Sequence, residues 1–92
     1  MAKSILQSQK RCYFCKQERG LEKHHVFAGT ANRRISEQNG LWVWLCHNCH
    51  TGTDGAQYDK DKNLSLKRDA QAAFEETHTH DEWMMLIRKN YI

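Results

Sequence analysis

Leu41-Trp42-Val43-Trp44-Leu45-Cys46-His47-Asn48-Cys49-His50 runs from an apolar, aromatic and β-branched segment straight into a Cys-x-x-Cys-His knuckle. The first five residues predict a strand, because Asn39-Gly40 marks a turn before them and the knuckle stops them. Period-two alternation puts Trp42 and Trp44 on one face. The knuckle itself closes a tight turn and can begin a helical one, which Gly52 and Gly55 keep short.

Working outward, a second Cys-x-x-Cys, Cys12 and Cys15, lies thirty residues upstream of Cys46. Two short pairs suit tetrahedral thiolate coordination better than two tiny disulfide loops, so Cys12, Cys15, Cys46 and Cys49 are expected to bind one structural zinc. A staple is also needed on size grounds. A chain of 92 residues buries only about 60 to 65% of the surface its unfolded form exposes, which leaves core packing marginal. Metal binding then appears as folding free energy, and the metal-free chain is expected to be largely unfolded. The fold class implied is α+β, a single small zinc-bound domain.

Between the knuckles, Leu21-Glu22-Lys23-His24-His25-Val26-Phe27 alternates weakly and reads as a strand ending near two histidines. Residues 28–40 are polar and basic without proline, and read as an ordered functional loop centred on Arg33-Arg34. Four cysteines already complete the zinc site, so His24, His25 and His50 need another explanation. Adjacent strand residues point to opposite faces, so one of His24 and His25 can face a metal while the other faces a substrate. Clamping the knuckles together brings the end of the first strand close to His50.

Glu22-Lys23-His24-His25-Val26 followed by Leu45-Cys46-His47-Asn48-Cys49-His50 resembles the HNH endonucleases. Their ββα-metal (His-Me finger) core pairs a His-His or Asp-His doublet with a downstream C-x-x-C-H or equivalent. The resemblance covers roughly residues 12–50, and Gly29-Thr30-Ala31-Asn32-Arg33 after the doublet is similar to the small phage-type branch. It implies His24 as a ligand of a catalytic divalent ion (Mg²⁺, Mn²⁺, Ni²⁺ or Zn²⁺), His25 as the general base, and His50 as a second ligand. It also implies a further ligand one helical turn beyond His50, which falls on Asp54, and products ending in 3′-hydroxyl and 5′-phosphate. The family's central asparagine is replaced by Leu41 here, with Asn39 the nearest substitute. Independently of the family, an imidazole of ordinary pKa ~6.5 accepts a proton at neutral pH and contributes about 10² to 10⁴-fold as a base. Arg33 or Arg34 can hold a neighbouring phosphate.

The rest of the chain is read as support. Residues 1–10 form an arm with no chemistry assigned, residues 11–58 the stapled core, and residues 64–92 two C-terminal helices. Ser65 is expected to cap the first helix, through Glu76, and Thr79-x-x-Glu82 is a capping box for the second, whose Trp83, Ile87 and Tyr91 repeat every fourth residue. Trp42, Trp44 and Trp83 are expected in the core, His47, His78 and His80 in turns, and Lys60, Lys62, Lys67 and Arg68 on a solvated face. The net charge of +3 is lowered by about two on binding a dication with four thiolates, so charge placement matters more than its sum. No hydrophobic run approaches membrane-spanning length and no signal peptide is visible, so a cytoplasmic protein with no membrane contact is expected. The function expected is DNA cleavage or nicking, with delivery by a partner protein or self-association left open. The competing class is a non-catalytic zinc-ribbon module that binds nucleic acid or protein. A small-molecule zinc hydrolase ranks third, because arginines rather than an apolar pocket flank the histidines.

Overall fold

The computed structural model describes residues 2–52, 55 and 59–92. Its elements follow in the order β1 (Leu21–His25), α1 (Thr30–Asn39), β2 (Trp42–Cys46), α2 (His47–His50), α3 (Lys60–Phe74) and α4 (His80–Ile87). The α+β class is as expected, and β1 and β2 form a two-stranded antiparallel sheet with Leu21 opposite Cys46, His24 opposite Val43 and His25 opposite Trp42. Val26 donates to the Leu41 carbonyl at 3.0 Å, carrying the pairing one step past the strand end.

The alternation has a physical outcome. Val43 and Leu45 are fully buried on one face, in a core with Leu41, Leu66, Ala70, Phe74 and Trp83. On the other face Trp42 and Trp44 meet edge to face at 5.5 Å. The N-terminal arm lies beside them: Ser4 Oγ donates to the Trp42 carbonyl, Ile5 N–H to the Gly40 carbonyl and Trp44 N–H to Gln7 Oε1. The arm is thereby held to the otherwise open edge of β2, whose backbone groups need partners. Gly40 permits the approach. Its φ is +70°, and a Cβ there would collide with the Lys3 carbonyl, so glycine is required both for the left-handed turn and for space.

The expected loop over residues 28–40 is a helix instead. Gly29 and Gly40 bracket ten residues rich in helix formers and free of proline, and Gly40 ends α1 in the left-handed conformation with its N–H on the Ser36 carbonyl. Ser36 is fully buried, and its hydroxyl accepts from Phe27 N–H at 3.2 Å and donates to the Phe27 carbonyl at 3.0 Å. That pair fixes α1 against the end of β1.

Two further expectations are corrected. α3 starts at Lys60, not near Ser65, because Asp59 caps it by accepting from Asp61 N–H at 2.9 Å and Lys62 N–H at 3.1 Å. α4 has the expected capping box of Thr79 and Glu82 but ends at Ile87, where Arg88 turns left-handed at φ 69°. Tyr91 therefore lies beyond the helix, where it packs at 5.8 Å from the Phe27 ring. Trp83 is fully buried at 0% exposure, as expected of a core residue. Among the described residues no helix is long and apolar enough to cross a membrane.

Candidate functional site

The four cysteines come together at one end of the sheet. Their sulfurs all lie within 4.8 Å of one another, and Cys15 Sγ is 3.6 Å from Cys46 Sγ. Four sulfurs at ~2.3 Å from one tetrahedral zinc stand about 3.8 Å apart, so the donor set fits a structural zinc site. Cys12 and Cys46 are buried, and Cys15 N–H points at Cys12 Sγ at 3.5 Å. Burial raises the Cys12 thiol, but hydrogen bonds from the backbone of Cys15, Cys46 and Phe14 outweigh it and bring the pKa down to about 6. One thiolate is thus ready for a cation at neutral pH, while burial pushes the Cys49 thiol up until a metal displaces its proton.

A second group forms where β1, α1, α2 and α3 meet. His24 leaves the core face of β1 and is 8% exposed, with its Nε2 buried and, among the described residues, without a hydrogen-bond partner. Its ring meets that of His50 at 5.0 Å between centroids, at an interplanar angle of 71°. Two imidazoles sharing one ion at ~2.0 to 2.1 Å per nitrogen have centroids about 5 Å apart. His50 Nδ1 is 2.8 Å from Glu22 Oε1, which leaves its Nε2 as the nitrogen able to meet an ion. Glu22 also reaches His47 Nδ1 at 3.3 Å, and these two histidine contacts hold its carboxyl below the usual range.

Desolvation, reinforced by the nearby His50, His25 and Lys67 charges, lowers the His24 pKa from 6.5 to about 4. His24 is therefore neutral at physiological pH, the form a metal needs.

His25 turns to the opposite face, where Nε2 lies 2.6 Å from Glu37 Oε2 on α1. Glu37 also receives Lys23 Nζ at 3.0 Å. With Nε2–H donated to the carboxylate, Nδ1 is left as the proton-accepting nitrogen. Although they leave opposite faces of β1, His24 and His25 line one cavity of about 540 Å³ with His50, Arg33, Asn63 and Lys67. An adjoining groove runs past His25 and Arg33 to Arg34 and Gln38.

The sequence reading thus placed His24, His25, His50 and Arg33 together, and Arg34 one step further along. Asp54 lies outside the described residues. Asn39 ends α1 with its side chain on the Ile35 carbonyl and Leu41 is fully buried in the core, so neither reaches the cavity. His47 is exposed as expected, and His78 stacks on Phe74 at 4.2 Å. Four contributors went unread. Glu22 was legible, because it sits two residues before His24 on the same strand face; Glu37, Asn63 and Lys67 were not, because the helices that carry them were missed or misplaced. No family model matches this sequence, and no curated protein or solved structure is similar to it.

Proposed function

We propose that this chain is a metal-dependent DNA endonuclease or nickase of the HNH type, a cytoplasmic protein whose ββα-metal core is β1, β2 and α2. In this reading the four cysteines hold a structural zinc, and His24 and His50 hold a catalytic divalent ion. The observation that carries it is the buried, unpartnered Nε2 of His24 facing the His50 ring, with His25 opening into the same cavity. An unpaired buried nitrogen costs about 1 to 3 kcal/mol, and a ligand role accounts for that cost.

His24 and His50 would hold the divalent ion, which would supply electrostatic stabilisation to charge developing on the scissile phosphate. His25, held through Nε2 by Glu37, takes the proton of the attacking water on Nδ1. The water oxygen bonds to phosphorus as the bond from phosphorus to the 3′ oxygen breaks. The bonding pair leaves with that oxygen, which takes a proton from solvent water to become a 3′-hydroxyl and leaves a 5′-phosphate. Arg33 holds the neighbouring phosphate on one side of His25, and Arg34 extends that contact along the groove.

The test is conversion of supercoiled plasmid to nicked circles with Mg²⁺, Mn²⁺, Ni²⁺ or Zn²⁺. Wild-type protein is expected to nick, and His25→Ala to lose about 10² to 10⁴-fold while keeping its zinc and its far-ultraviolet circular dichroism. Folded, zinc-loaded wild type that nicks with none of these ions overturns the proposal in favour of a non-catalytic zinc module.

A further inference from the structure

Lys67 belongs to a basic run whose sequence pattern reads as a solvated helix face, but its position in the fold is different. Asn63 and Lys67 are one turn apart on α3 and both line the histidine cavity. Lys67 is half-buried, with its ammonium 6.0 Å from the Phe27 ring centroid and 5.6 Å from that of Tyr91. Those rings give the cation a fixed seat without neutralising it.

The cavity is unusual in its charge. Arg33 from α1, Lys23 from β1 and Lys67 from α3 line it, and no carboxylate does so among the described residues. Lys67 forms no ion pair among the described residues. Lys23 is already paired with Glu37 at 3.0 Å, so Arg33 and Lys67 are the lining cations left, among the described residues, to draw an anion into the cavity, and a divalent ion held by His24 and His50 would add to that attraction.

We infer that Lys67 is a substrate-contacting residue that binds a non-bridging oxygen of the DNA phosphate at the histidine cavity, which Arg33 also lines. The inference rests on the nuclease reading for the identity of the polyanion. Its geometric basis is the cavity itself, which Asn63 and Lys67 of α3 line together with Arg33 of α1, so that α3 becomes part of the proposed DNA-binding surface.

The experiment measures binding of a fluorescein-labelled duplex by anisotropy across a sodium chloride series. It uses zinc-loaded full chain with no further divalent ion, so that no strand is cut. Each phosphate neutralised contributes about −0.9 to the slope of log K against log salt. Lys67→Met keeps the apolar stem against Phe27 and Tyr91, and is expected to flatten the slope by about one and weaken binding several-fold for any sequence. Lys67→Arg is expected to restore the slope. Arg19→Met serves as the control, since Arg19 is exposed just before the end of β1 remote from His25. In the plasmid assay Lys67→Met is expected to lower kcat/KM at least tenfold.

A wild-type slope in folded Lys67→Met overturns this inference alone, with the nuclease proposal standing if plasmid is still nicked. Wild type that binds DNA but cuts none removes the nuclease proposal, and the slope still decides whether Lys67 contacts phosphate. Wild type that binds no DNA overturns both.

Discussion

Replacing His24 by leucine is expected to leave the protein at least as stable while abolishing the proposed nicking activity, a combination that a structural core histidine does not give. Leucine removes a buried nitrogen that has no partner, worth about 1 to 3 kcal/mol in relief. It also removes the edge-to-face contact with His50, worth about 0.5 to 1.5 kcal/mol. The net expected at pH 7 is a gain of about 0 to 2 kcal/mol. Acid enlarges it. The His24 pKa falls from 6.5 to about 4 on folding, so below pH 6.5 the unfolded chain takes up a proton that the folded chain refuses until about pH 4. Stability due to this group is therefore complete above pH 6.5 and is lost as pH falls towards 4. Between pH 7 and pH 5 the loss amounts to about 2 kcal/mol, which the leucine variant escapes. For a domain of this size that widens the gap in Tm by roughly 10 °C. The assay is thermal unfolding of both proteins, each carrying one zinc and no excess divalent ion, at pH 7 and pH 5. Loss of zinc-binding thiolates in acid affects both alike. A Tm gap that does not change with pH, or a leucine variant that still nicks plasmid, would refute the reasoning.

Chelation of zinc, or Cys46→Ala, is expected to unfold the domain, because a site of this kind supplies about 10 to 16 kcal/mol; circular dichroism and zinc content measured together check it. Ser36→Ala leaves both the N–H and the carbonyl of Phe27 without their buried partner. It should cost about 1 to 3 kcal/mol in urea unfolding and release α1, which carries Glu37 and Arg33. Thr79→Ala removes a capping box remote from the cavity, and should cost about 1 kcal/mol with no change in nicking per folded molecule.

The parts of the site that were legible are those whose geometry follows from spacing along one element. Cys12-x-x-Cys15 and Cys46-x-x-Cys49 each deliver two thiols from one turn, and the strand alternation separates His24 from His25 before any coordinates are known. Glu22 follows by the same rule. What could not be read depends on helix boundaries and on packing. α1 has a polar sequence with no acidic residue in its first turn and no side-chain cap, so the signals that announce a helix are missing although its residues favour one. α3 has its cap at Asp59, seven residues before the apolar stripe of Leu66, Ala70 and Phe74 begins. A start inferred from the stripe misses the turn that carries Asn63, and with Lys67 then falling in the first turn beside Arg68 and Asp69 its cavity-facing side was hidden.

The cysteine cluster and the histidine pair are joined by very little chain, and a change in one is expected to be felt in the other. Cys46 ends β2, Cys49 and His50 are consecutive in the four-residue α2, and Glu22 reaches from β1 to hold the imidazole of His50. On β1, Leu21 is paired with Cys46 while His24 is paired with Val43, so one short ladder spans from the cysteine cluster to the histidine cavity. A four-residue helix has no cooperative stability of its own. Its orientation is set by Cys46 and Cys49 at the metal and by the contact with Glu22. The cysteine cluster is therefore expected to act as the rigid support of His50, and loosening it by even a fraction of an ångström would displace one of the two imidazoles proposed to share an ion.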